Sequence, residues 1–156
     1  MEPPVTIRAL DTGDLAAISD LGVRSKASWG YSSEEMSVFA SELTHGTSLL
    51  EKSFCARVAV DPSGNILGYF SLLDRSSQIV ELDYFFVSPE HFGNGIGTRM
   101  MEAAFEESRA RRARKMTLIS DPNAAGFYEK FGFRIVDHHQ SSIAGRSIPI
   151  MEKVLS

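Results

Sequence analysis

Residues 88–104 read "SPEHFGNGIGTRMMEAA" and place a glycine at every second position, Gly93, Gly95 and Gly97, directly ahead of an amphipathic run. Three glycines so close together cost conformational entropy on folding, so the bare backbone there serves a tight conformation or a close approach. From Ile96 to about Arg111 the apolar residues Ile96, Met100 and Ala104, with Met101 and Phe105 beside them, share one side. That spacing predicts a helix with a charged outer face. Small residues at a strand-to-helix turn let successive N–H groups converge on an anion, and the helix dipole adds roughly half a positive charge there. Two common phosphate loops do not fit. A P-loop ends Gly-Lys-Ser/Thr, whereas this stretch ends Gly97, Thr98, Arg99. In a GxGxxG fingerprint counted from Gly93 or Gly95, the third glycine falls on Thr98 or Met100. On glycine spacing alone, a phosphate cradle and a ligand-free turn both stay open.

Working outward, three consecutive strands precede the turn. "SFCARVAV" (53–60) and "NILGYFSLL" (65–73) flank "DPSG", a hairpin signature, and "QIVELDYFFV" (78–87) leads into the glycines. After the helix, "ARRARK" (110–115) suits its C-terminal dipole and "MTLIS" (116–120) reads as a short buried strand. "DPNAAGFYEKFGF" (121–133) reads as a compact helix, with Pro122 in its first turn and Gly132 just past its end. "FRIVDHH" (133–139) and "SIPIMEKVL" (147–155) are two further strands joined by the polar loop "QSSIAGR" (140–146). At the start, "VTIRAL" (5–10) alternates as a strand, and Asp11 can cap a helix that runs to Ser28 and is interrupted by Trp29, Gly30 and Tyr31. Ser32 and Glu35 have capping-box spacing for a second helix, which Gly46 stops. No repeat or linker divides the chain, so residues 1–156 read as a single domain of the α+β class.

Composition excludes several functions. At 156 residues, 43% hydrophobic and 23% charged with a net charge of -4, the chain has no polybasic face for nucleic acid. The single Cys55 forms no intrachain disulfide, and "MEPPVTIRAL" has neither the basic start nor the apolar stretch of an export signal. No run of 18 apolar residues spans a membrane. These features predict a cytoplasmic protein. A homodimer stays open.

"FFVSPEHFGNGIGTRMM" resembles the signature of the GNAT superfamily of acyl-CoA-dependent N-acyltransferases, in which Val-x-Pro leads through (Arg/Gln)-x-x-Gly-x-(Gly/Ala) into a helix. Phe92 stands where Arg or Gln is usual. "MTLISDPNAAGFYEKFGF" matches the second family block at the right separation and order, and the resemblance covers nearly the whole chain. It implies a central, mostly antiparallel twisted sheet of about seven strands with about four helices. It also implies acetyl-CoA as cosubstrate, its pyrophosphate held by main-chain amides over Phe92, Gly93, Asn94, Gly95, Ile96, Gly97 and Thr98. The pantetheine would pair as an extra strand along Phe85, Phe86 and Val87, with Asn123 also against the cofactor.

Transfer from a thioester to an amine needs a base for the protonated amine and an acid for the departing thiolate. By the resemblance, Tyr128 occupies the position of the acid. For the base, Glu81 matches the strand carboxylate of some members, and Asp83, two residues on, follows it; other members use water chains. Trp29 and Tyr31 fall where the family walls the acceptor site, and aromatic rings can hold an amine. Arg146 can pair with an acidic substrate group or be a plain surface arginine. Asp121 is an N-cap candidate. The scattered histidines and one cysteine offer no metal constellation. Two functions follow: direct acetyl transfer to a primary amine of a small molecule or peptide, or an acyl-CoA-binding module without turnover.

Overall fold

Seven stretches that alternate apolar and polar residues, or run apolar throughout, pair edge to edge in one sheet of order β1-β2-β3-β4-β5-β7-β6. They are β1 (Thr6–Ala9), β2 (Cys55–Val60), β3 (Ile66–Ser76), β4 (Ile79–Val87), β5 (Lys115–Ile119), β6 (Arg134–Gln140) and β7 (Ser147–Val154). The computed structural model describes residues 4–76, 78–141, 143 and 145–155. Residues 1–3 and 156 of the domain read as 1–156, and Ser142 and Ala144 of the "QSSIAGR" loop, therefore lie outside the described residues. All neighbouring strands are antiparallel except β4 and β5, which run parallel.

Among the described residues five helices join the sheet: α1 (Leu15–Ala27), α2 (Ser33–Leu43), α3 (Ser48–Lys52), α4 (Ile96–Ala110) and α5 (Ala125–Glu129). Local chemistry sets their starts. Asp11 and Asp14 form a capping box over a 3-10 turn ahead of α1, and Ser32 and Glu35 form one at α2. The expected count was about four. The additional α3 is only five residues long, too short to show a period, and is fixed by Leu49, which is 2% exposed. The expected helix over 121–133 resolves into a 3-10 turn, Pro122–Ala124, followed by the short α5.

The central strands of the sheet are covered on both faces, while β6 is exposed along its length. On one side α4 lays Ile96, Met100, Met101, Ala104 and Phe105 against Phe70, Leu72, Met116 and Met151, the face expected from its periodicity. On the other, Ile18 and Leu21 of α1 and Leu49 of α3 pack on Val58 and Tyr69. Each fully buried aliphatic side chain contributes about 1.5–3 kcal/mol, so the two layers hold the sheet firmly.

One irregularity positions everything functional. β4 and β5 pair only over Ile79–Glu81 and Lys115–Thr117. Beyond that the strands part: β5 continues with β7 while β4 stays with β3. The register of β4 on β3 slips at the same place, Leu82 facing Leu72 and Tyr84 facing Ser71, so Asp83 is the extra residue of a bulge. The slip turns Phe85 and Val87 toward the α4 face, the side of Val80 and Leu82, and Tyr84 and Phe86 toward α1.

Candidate active site

The glycine turn has the geometry that its sequence demands. Gly93 and Gly95 sit at φ of +82° and +81°, a region closed to most side chains, and α4 starts at the next residue. The N–H groups of Phe92 and Asn94 are used inside the turn, by the Pro89 and His91 carbonyls. Those of Gly93, Gly95, Ile96, Gly97 and Thr98 meet no acceptor among the described residues. An array of unpaired donors at the positive end of a 15-residue helix is an anion cradle. Phe92 presents a 47% exposed ring at the rim.

Where β4 leaves β5, its outer edge is bare. The Ser88 N–H bonds the Leu67 carbonyl at 2.8 Å, which fixes the phase of the ladder. Phe86 and Tyr84 therefore bond β3, and the N–H and C=O of Phe85 and Val87 turn into the gap. A cavity of about 600 Å³ runs from there. Phe85, Phe86, Val87, Phe92, Gly93, Ile96, Gly97, Asn123 and Tyr128 line it, as do Asp83 and Trp29; Glu81, Asn94, Gly95, Thr98 and Tyr31 do not.

Tyr128 packs among Phe85, Phe127 and Phe133, with centroids 6.2, 5.3 and 5.9 Å away. Burial, with the Asp121 charge behind it, holds its phenol well above the ordinary value, so it stays protonated. Its hydroxyl bonds nothing among the described residues.

The two strand carboxylates are not equivalent. Glu81 is clamped by Arg75 at 2.6 Å, and burial raises its carboxyl against the pull of that arginine. Asp83 reaches the cavity. Its Oδ2 is buried without a hydrogen bond among the described residues, although Lys52 Nζ lies 3.2 Å away. The two form an ion pair by distance, and the carboxylate oxygen keeps its hydrogen-bonding capacity.

A cluster around Asp121 was only partly legible. Asp121 caps the turn at Pro122, accepting from Asn123 N at 2.8 Å, and the same carboxylate binds Lys26 at 2.6 Å, Tyr31 at 2.7 Å and Arg146 at 3.4 Å. Burial would raise Asp121, but bonding and charge from Lys26, with the Tyr31 bond, outweigh it and leave the carboxyl low. Tyr31 is pushed up to about 12 by burial and by Asp121. Arg146, 18% exposed, is no plain surface arginine, and Lys26 went unremarked in the sequence because nothing local marks it.

The family model described as "Acetyltransferase (GNAT) family" matches residues 13–133. The chain belongs to the GNAT acetyltransferase family. A glucosamine 6-phosphate N-acetyltransferase of Trypanosoma brucei brucei is 28% identical over 134 residues, 82% of this chain and 88% of that protein. The fold is shared with the PaiA N-acetyltransferase of Thermoplasma acidophilum, solved with coenzyme A (TM-score 0.80, 22% identity, 97% of this chain and 99% of that one). The ribosomal-protein-S18-alanine N-acetyltransferase of Escherichia coli has it too (TM-score 0.72, 21% identity, 98% and 95%). As a GNAT acetyltransferase the chain is an enzyme that takes acetyl groups from acetyl-CoA and passes them to amines. Bare amides at the helix start and a bare β4 edge fit that cosubstrate. No group of three or more His, Cys, Asp or Glu among the described residues is placed to hold a metal ion.

Proposed function

We propose that the amine attacks acetyl-CoA directly while both are bound, with Asp83 or a water on it taking the amine proton and Tyr128 protonating the departing thiolate. The amine nitrogen bonds the carbonyl carbon, the C–S bond breaks, and the sulfur leaves with the tyrosine proton. The amides of residues 93 and 95–98 hold the pyrophosphate, and Phe85 and Val87 pair with the pantetheine. The observation that carries this reading is that Asp83 and Tyr128 line the same cavity as Phe85 and Val87 of the bare β4 edge. Glu81, held by Arg75 and not lining the cavity, is left out of the proton transfer.

A covalent route through Cys55 is disfavoured by chemistry. Its thiol is 8% exposed in the core and burial pushes it up, away from the reactive thiolate. Relatives act on a sugar amine and on a protein alanine, so a small molecule and a peptide both suit the fold. No described helix is long and apolar enough to cross a membrane. A single cysteine, which forms no intrachain disulfide, supports a cytoplasmic location. Initial rates of thiol release, with acetyl-CoA and an accepted amine varied together, test the mechanism. Intersecting double-reciprocal lines are expected, and parallel lines would replace direct attack by an acyl-enzyme.

A further inference from the structure

We infer that the acceptor is an acidic primary amine, its anionic group held between Lys26 and Arg146 while its amino end faces Asp83. This rests on the acetyl-transfer reading above and adds the substrate class.

The argument is one of charge and spare donors. Lys26 and Arg146 share a single carboxylate, Asp121, so one positive charge in the cluster is left over. Both cations are largely withdrawn from water, at 14% and 18% exposure, where an uncompensated charge is costly. Asp121 cannot serve them further: its Oδ1 takes the Asn123 N–H and Nδ2, and its Oδ2 takes Lys26, Tyr31 and Arg146. The cations can still donate. Lys26 Nζ has no second hydrogen-bond partner among the described residues, and the bonds of Arg146 run through one nitrogen, Nη2, to Tyr31 and Asp121.

Their positions are fixed. The Lys26 ammonium lies 4.4 Å from the Phe39 ring centre and the Arg146 guanidinium 5.0 Å from that of Tyr31, so neither can swing away without losing those faces. Both line the cavity that Asp83 also lines, so the two cations and the carboxylate proposed as the base share one space. The cluster draws on α1, the turn after it, the end of β5 and the loop before β7, and takes nothing from the glycine turn. The pyrophosphate cradle is therefore a separate anion site.

Matched amines test the assignment: phosphoethanolamine against ethanolamine, γ-aminobutyrate against butylamine, and glucosamine 6-phosphate against glucosamine, with putrescine as the cationic control. Thiol release from acetyl-CoA and calorimetric binding to the coenzyme A-loaded protein are read in parallel. At least one anionic member should exceed its neutral partner tenfold or more in kcat/KM or affinity, and which pair responds separates phosphate from carboxylate. Arg146→Leu and Lys26→Met should each erase most of that preference, with Arg146→Lys intermediate and KM for acetyl-CoA changed less than about twofold. Neutral or cationic amines accepted as well as anionic ones overturn the inference and leave acetyl transfer standing. Selective binding of anionic amines without turnover upholds the anion site and overturns the transfer reading. No preference in either assay overturns the anion site.

Discussion

A phenol enclosed by three aromatic rings and lifted in pKa by burial stays protonated at neutral pH, so its proton is on hand for a thiolate that the same apolar surroundings would make more basic. Tyr128→Phe keeps the ring and removes the hydroxyl. It should fold, bind acetyl-CoA within about twofold of the parent and lose turnover by roughly 10²-fold, the lower end for general acid catalysis because a thiolate already leaves well. Weaker binding with unchanged turnover would make Tyr128 a packing residue. The carboxylates divide in the same assay. If Asp83 takes the amine proton, Asp83→Asn should depress kcat by roughly tenfold or more, with the largest loss at low pH, where the amine is most protonated; Glu81→Gln should leave the shape of the pH profile intact. A reversed result hands the proton to Glu81.

At the scale of elements, the glycine turn and α4 were legible because their signals are local: left-handed angles demand glycine, and a 3.6-residue period demands one buried face. The capping boxes at Asp11 and Ser32 were legible for the same reason. The β4 bulge was not, since a slip of one residue appears only against the register of β3. Its effect was to make Asp83, ranked behind Glu81 on sequence, the carboxylate that lines the cavity. Lys26, Asp121 and Arg146 lie far apart in sequence and meet only where α1, β5 and the loop before β7 converge. The turn itself yields a prediction. No atom outside the turn lies within 4 Å of a Cβ built on Gly93, so the obstacle to a side chain is its φ of +82° and the space it would take from a ligand. Gly93→Val should cost about 1–2 kcal/mol in stability and weaken coenzyme A binding by tenfold or more, whereas Phe92→Ala should change binding by less than threefold. Equal losses by calorimetry would move the cradle onto side chains.

For the whole molecule, acid should act through the α1 face of the sheet. His45 donates or accepts at Tyr69 Oη over 2.7 Å and packs on the Tyr84 ring, with Asp83 and Lys52 as the charged groups near it. Burial pulls its pKa down to about 4, against about 6.5 in the unfolded chain. Between those values the unfolded chain binds a proton that the folded one refuses, so this stability is complete above about pH 6.5 and drains away as pH falls toward 4. Urea unfolding at pH 7 and pH 5 should show a smaller loss for His45→Gln than for the parent; equal losses would clear His45 of the effect. The short β4–β5 ladder, three residue pairs long, has its own consequence for the molecule in deuterated water. Along the last turns of β4, the amides of Tyr84 and Phe86 are locked to β3 while those of Phe85 and Val87 open on the gap. Isotope labelling of the free protein should therefore mark one strand in alternation, every second amide fast, and coenzyme A lying in the gap should silence the fast set and leave its neighbours unchanged.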